Sequence, residues 1–168
     1  SITEDPAIDI VVELVGQLHP AFEIVSSAFK SGKSVVTANK YLLSEKFSPL
    51  FQAARSHSAY LGFEASVAGA VPVIKAIREG FAANTLFRVA GILNGTTNYI
   101  LSSMTSRGCS FQEALADAKR LGYAEGDPSL DLSGKDSAHK LAILSTYGFH
   151  RSITSRDIFI EGIDTIEA

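Results

Sequence analysis

Ile8-Asp-Ile-Val-Val-Glu-Leu-Val15 is a β-branched run stopped by Gly16, and Ser34-Val-Val-Thr37 is a shorter one followed at once by Ala38-Asn39-Lys40. The first predicts a strand buried on both faces. Between the two runs, Ala21, Ile24, Val25, Ala28 and Phe29 recur at helical spacing after Pro20, and Ser31-Gly32 closes the helix they predict. Strand, helix, strand is a βαβ unit, whose crossover is right-handed and whose sheet is parallel. The fold class expected from it is α/β. In open sheets of this kind ligands sit outside the carboxyl ends of the strands, where Gly16 and Asn39-Lys40 fall.

Composition narrows what surrounds that unit. With 168 residues the chain is long enough for one domain with a real core, or for one domain and part of another. A net charge of -3 leaves no basic footprint, so neither nucleic acid nor an anionic membrane surface is an expected partner. Cys109 is the single cysteine, which excludes an intramolecular disulfide and a multi-thiolate metal site and fits a reducing compartment. His19, His57, His139 and His150 show no metal-ligand spacing. No apolar run approaches the roughly 20 residues that span a bilayer, and Ser1-Ile-Thr-Glu-Asp-Pro6 is acidic where a secretory signal is basic. The expectation is a soluble, cytoplasmic protein. A chain that lacks an initiator methionine and enters a strand by residue 8 also reads as a piece of a longer polypeptide.

Downstream, a helix is predicted over residues 47–56 with Leu50, Phe51 and Ala54 inward, then a third strand over Ala59-Tyr-Leu-Gly-Phe-Glu64. No Gly-x-Gly-x-x-Gly follows any strand, so the turn that grips a dinucleotide's phosphates is not in this chain. Strands of such a fold would here be its second half. After Glu64 the texture changes to small residues, Ala65-Ser-Val-Ala-Gly-Ala-Val-Pro72, which suit close backbone approach. A boundary near residue 63 divides the chain into 1–63 and 64–168. In the second part a helix is expected over residues 73–79, and a strand over 84–92. Asn94 then caps a helix ending at Arg107-Gly108, and Ser110 with Glu113 forms a capping box for another that Gly122 terminates. A last strand is expected within residues 153–163. The second part should thus be α+β, a mixed sheet with helices packed on it.

Leu121-Gly-Tyr-Ala-Glu-Gly-Asp-Pro-Ser-Leu-Asp-Leu-Ser-Gly-Lys-Asp-Ser-Ala-His-Lys140 gathers carboxylates and lysines ahead of an apolar helix. Ser133 and Asp136 fit a helix start, and Gly126 and Pro128 predict a loop through Asp131. Asp136 and Lys140 stand at i and i+4, on one helix face with the acid first, the favourable order for an ion pair. A loop of acids leading to such a pair suits a small cationic substrate. The plainer reading is a solvated loop and a surface pair worth under about 1 kcal/mol.

Four segments in order carry a resemblance. Val36-Thr-Ala-Asn-Lys40, Glu64-Ala-Ser-Val-Ala-Gly-Ala-Val-Pro72, Gly91-Ile-Leu-Asn-Gly-Thr-Thr-Asn-Tyr-Ile-Leu101, and Gly122-Tyr-Ala-Glu-Gly-Asp-Pro-Ser-Leu-Asp131 with Asp136 and Lys140 resemble successive signatures of homoserine dehydrogenase. The resemblance implies a partial Rossmann-type unit over residues 1–63, then a catalytic and dimerisation domain over 64–168. It implies NADP- or NAD-dependent interconversion of L-aspartate 4-semialdehyde and L-homoserine, on the way to threonine, methionine and isoleucine, by a homodimer. Lys140 would be the acid/base residue and Asp136 its orienting partner. Glu125 and Asp131 would bind the substrate's amino group, and Lys40 would lie where cofactor and substrate meet. Gly16, Asn39, Lys40 and Glu125 would border the cofactor. Glu64, with main-chain carbonyls of Val67, Gly69 and Val71, would hold Na+; oxygen-only donors suit such a hard cation. The alternative there is a close-packed turn in which Glu64 makes an ordinary hydrogen bond.

The chain departs from the family in lacking the glycine-rich turn, so alone it is expected to bind NAD(P) weakly and turn over little. Gln17 and Gly126 are smaller departures. Two other readings are a non-catalytic dimerisation or ligand-binding module, against which Glu125, Asp136 and Lys140 together argue, and a different NAD(P)-dependent enzyme on the same scaffold, against which Asn94-Gly-Thr-Thr-Asn98 argues.

Overall fold

Ile10–Glu13 (β1) pairs in parallel with Ser34–Thr37 (β2), and β2 pairs in parallel with Leu61–Gly62 (β3), giving the order β1-β2-β3. The connection from β1 to β2 is the helix Leu18–Lys30 (α1), so the predicted βαβ unit is present. In this computed structural model, which describes residues 1–166, the chain divides into two compact units. Residues 1–89 and 139–155 form one; residues 90–138 and 156–166 form the other.

The first unit is built on the period-2 alternation of its strands. Val11 of β1 faces Val35 of β2, which faces Leu61 of β3, and all three are buried. Behind this row lie Ala21, Val25, Ala28 and Phe29 of α1, and Leu42, Leu43, Phe47, Leu50 and Ala54 of Lys40–Ser56 (α2). Each fully buried Val, Leu or Phe side chain here contributes about 1.5–3 kcal/mol of transfer free energy, and each alanine methyl less. The opposite face of β1 is exposed: Ile10 at 59% and Val12 at 62%. The prediction of a strand buried on both faces is therefore corrected to a strand covered on one.

Helix α2 begins well before the predicted residue 47. Asn39 caps it, its side chain accepting from the Leu42 amide at 3.0 Å. The helix is bent at Lys46 (φ -131°, ψ 19°) just ahead of Pro49, which has no N–H to give the preceding turn. That bend is why the apolar spacing registers only from Phe47 onward. Glu64–Ser66 is a 3₁₀ turn, and Val73–Lys75 (α3) continues as a π-turn over Ala76–Gly80, matching the helix predicted there.

The second unit holds Gly95–Arg107 (α4), Phe111–Arg120 (α5), Ser129–Leu132 (α6) and the first turn of Lys135–Phe149 (α7). Ile100, Met104, Ala114, Ala118 and Ala124 form its core, with Tyr99 and Tyr123 stacked beside it at 4.5 Å. Local signals hold here: Asn94 caps α4, Gly108 closes it at φ 62°, and the Ser110–Glu113 capping box is formed in both directions. Two details differ. Asp131 lies within α6 rather than on a loop, and Ser133 ends α6 instead of opening α7. Gly134 separates the two helices at φ 78°, where a Cβ would meet Ile160 Cγ2 at 2.8 Å, so only glycine allows the break.

The expected mixed sheet is not found. Among the described residues the three parallel strands are the whole of the sheet, and neither 84–92 nor 153–163 adds a strand to it. Phe87 at 92% and Ile92 at 75% exposure show the physical reason: the first segment alternates, but no neighbouring strand lies beside it to complete a ladder or a core. In the second, Ser155–Asp157 is a 3₁₀ turn.

Candidate active site

At the carboxyl end of β1 and β2 the inward row changes from apolar to polar. Glu13 sits opposite Thr37 in the strand register, on the same face as Val11 and Val35, and is only 2% exposed. The Thr37 hydroxyl donates to its Oε2 at 2.6 Å, and the Val15 amide to its Oε1 at 2.6 Å. Asn39 extends the network: its Nδ2 donates to the Gln17 carbonyl at 3.1 Å and approaches Glu13 Oε1 at 3.5 Å, while its amide N–H donates to the Thr37 hydroxyl at 2.9 Å. Asn39 thus caps α2 with its oxygen and ties down the loop after β1 with its nitrogen. Gly16, inside that loop, has φ 77° and open space where a Cβ would be. Lys40 follows as the first residue of α2 and is half-buried.

Tyr41 packs on His139 at 5.2 Å, bringing the start of α2 against α7. Lys140, the next residue of α7, is half-buried. Asp136 lies one helical turn before it and is 5% exposed.

Asp136 belongs to a cluster in the second unit. The Asn94 side chain donates from Nδ2 to Asp131 Oδ1 at 2.6 Å and to Asp136 Oδ2 at 2.9 Å. Its Oδ1 accepts the Thr97 amide at 2.8 Å, which is the α4 cap. Next to it, the buried Thr96 donates its hydroxyl to the Tyr123 carbonyl at 2.6 Å, holding the segment that leads to Glu125. Glu125 is exposed. Asp127 keeps its carboxyl below the ordinary range, because the Ser129 backbone N–H donates to it.

Glu64 is committed to backbone. Its Oε1 accepts the Ile74 amide at 2.9 Å and its Oε2 the Lys75 amide at 2.9 Å, so it caps α3 across the small-residue loop. Within that loop Ala68 and Ala70 hold φ of 51° and 66°, a region that costs a residue with a Cβ about 1 kcal/mol or more. They alternate with Val67, which is buried, and with Gly69 and Val71, which are exposed. No group of three or more His, Cys, Asp or Glu side chains able to hold a metal occurs among the described residues.

The structure therefore assembles Asp131 with Asp136, and Asn39 with the loop bearing Gly16. Glu13, Thr37 and Asn94 were not among the candidate residues. Glu13 carried a legible signal, a carboxylate at the inward period of a strand. Asn94 was legible only as a cap.

Comparison with known proteins bears on these features. The family model described as "Homoserine dehydrogenase" matches residues 72–168, and that described as "Homoserine dehydrogenase, NAD binding domain" matches residues 1–64. A homoserine dehydrogenase of Mycobacterium tuberculosis is 51% identical over 95% of this chain and 36% of its own length. The crystal structure of a homoserine dehydrogenase from Thiobacillus denitrificans superposes with a TM-score of 0.94 at 48% identity, over 98% of this chain and 38% of that one. A hyperthermophilic archaeal homoserine dehydrogenase in complex with NADPH superposes with a TM-score of 0.83 at 29% identity, over 95% of this chain and 49% of that one. The chain spans between a third and two-fifths of the length of the curated relatives it matches. No helix among the described residues is long and apolar enough to cross a membrane.

Proposed function

The chain belongs to the homoserine dehydrogenase family, and from that premise we propose that the protein containing it interconverts L-aspartate 4-semialdehyde and L-homoserine with NADP or NAD as the redox partner. The observation that carries this reading is the pair on α7: a buried Asp136 one turn ahead of a half-buried Lys140. Functionally we divide the chain into 1–63 for the cofactor and 64–168 for substrate and dimer contacts.

A bound nicotinamide supplies or accepts the hydride. The chain's residues fit the edge of such a group: Gly16 leaves open space at the carboxyl end of β1, and Asn39 and Lys40 follow β2. The resemblance adds Glu125 as a cofactor residue. Everything else falls to side chains. As the aldehyde is reduced, negative charge develops on its oxygen, which the Lys140 ammonium stabilises and then protonates; in homoserine oxidation the neutral amine takes the hydroxyl proton. Asp136 orients Lys140. Asp131 and Glu125 bind the substrate ammonium, and Lys40 orients the reacting end.

Na+ completes the reading. The site we assign to it is the Glu64 carboxylate with the main-chain carbonyls of Val67, Gly69 and Val71, an oxygen-only donor set of the kind a hard cation takes; Glu64 also accepts the Ile74 and Lys75 amides, and the Val71 carbonyl the Val73 amide. We assign the protein to the cytoplasm as a homodimer.

The test is Lys140→Ala in the full-length enzyme. Turnover should fall about 10²–10⁴-fold with little change in KM. A variant keeping a tenth or more of its turnover would exclude the role.

A further inference from the structure

We propose that Asn94 is a positioning residue that couples substrate binding to proton transfer, by holding Asp131 and Asp136 on the two N–H bonds of one side-chain amide. The proposal rests on the roles given above to Asp131, Asp136 and Lys140.

The orientation of the Asn94 amide is fixed by its own backbone. Its Oδ1 is occupied by the Thr97 N–H, so the Nδ2 hydrogens must point the other way, at the carboxylates. Both are used, at 2.6 Å on Asp131 and 2.9 Å on Asp136, and the residue is 5% exposed. A primary amide has only these two donors, so neither carboxylate can move without loosening the other. The bond to Asp136 spans 42 positions of sequence, which no local capping role requires.

The arrangement also answers an electrostatic problem. Two carboxylates that share one neighbour repel each other, the more so where water is scarce, and a buried acceptor without a donor costs about 1–3 kcal/mol. One neutral amide satisfies an oxygen of each without adding charge. A lysine or arginine there would satisfy them too, but would compete with the cations these carboxylates are meant to attract, the substrate ammonium and Lys140.

Asn94→Asp separates this role from capping. Aspartate caps a helix as well as asparagine does, so α4 keeps its start, while the double donor becomes a third carboxylate. Asn94→Ser also caps, adds no charge and cannot reach both acids. In the full-length enzyme both variants should lower kcat and raise KM for homoserine, with kcat/KM down about 100-fold for Asn94→Asp and less for Asn94→Ser. Asn94→Ser decides the matter if Asn94→Asp does not fold. Values within about threefold of the parent, or a change confined to kcat or to KM alone, would overturn the proposal. Asp136→Asn run in parallel tells the two failures apart. A crippled Asp136→Asn beside a normal Asn94→Asp overturns the role of Asn94 alone, and a normal Asp136→Asn overturns the reading beneath it as well.

Discussion

The Thr37 hydroxyl donates to Oε2 of Glu13 at 2.6 Å, joining the carboxyl ends of two parallel strands through a carboxylate that is 2% exposed. The other oxygen of Glu13 accepts the Val15 amide, so one side chain sets both the end of β1 and the path of the loop containing Gly16. Glu13→Gln places an NH2 either at Oε1, against the Val15 N–H and the Asn39 amide, or at Oε2, where the Thr37 hydroxyl must turn from donor to acceptor. It should destabilise the protein by about 1–3 kcal/mol and weaken NADPH binding in the full-length enzyme. Melting curves and calorimetric titration check this, and an unchanged affinity would remove Glu13 from the cofactor side.

The two carboxylates assigned to the substrate ammonium differ in their support. Asp131 is half-buried and held by Asn94, whereas Glu125 is exposed. Glu125→Gln should raise KM for homoserine more than it lowers kcat, since binding a fixed charge is nearly uniform along the reaction. Asp131→Asn should raise KM further and also cut kcat. Steady-state kinetics in which both variants behave alike would contradict the division.

Glu64 predicts a specific cation effect. Melting temperature should be higher in sodium chloride than in choline chloride of equal ionic strength, which screens charge equally but offers no small hard cation. Glu64→Gln should abolish that difference and also lose part of the α3 cap. Identical melting in the two salts would mean that Glu64 serves the turn alone.

Acid should weaken α5 through its cap. Glu113 titrates below its ordinary range, first because the Ser110 backbone N–H donates to it and then because the Ser110 hydroxyl does. A carboxylate whose folded value is depressed contributes stability that is present above its unfolded value and is lost as pH falls through the folded one. The difference in melting temperature between the parent and Glu113→Gln should therefore be largest near neutrality and close as the pH falls through and below the ordinary glutamate range. A difference that is constant with pH would mean that the reciprocal bond contributes nothing.

What the sequence by itself determined is what a few neighbouring residues can decide. The Asn94 cap, the Ser110–Glu113 box, the helix ends at Gly108 and Gly122, and the parallel βαβ unit all follow from bonds or periods that close within a turn or along one strand. The i,i+4 placement of Asp136 and Lys140 was legible for the same reason. Tertiary structure decided the rest. Alternation over residues 84–92 is necessary for a strand but not sufficient, because a ladder needs a second chain segment whose presence is not written in the first. Glu13, like Asp9, was a polar letter in an otherwise apolar run until Thr37 and Asn39 arrived at hydrogen-bonding distance from the next strand and its loop. Asn94 shows both sides in one residue. Its oxygen obeys a rule three residues long, while its nitrogen meets Asp131 and Asp136, 37 and 42 positions away, because helix packing closed the distance between them.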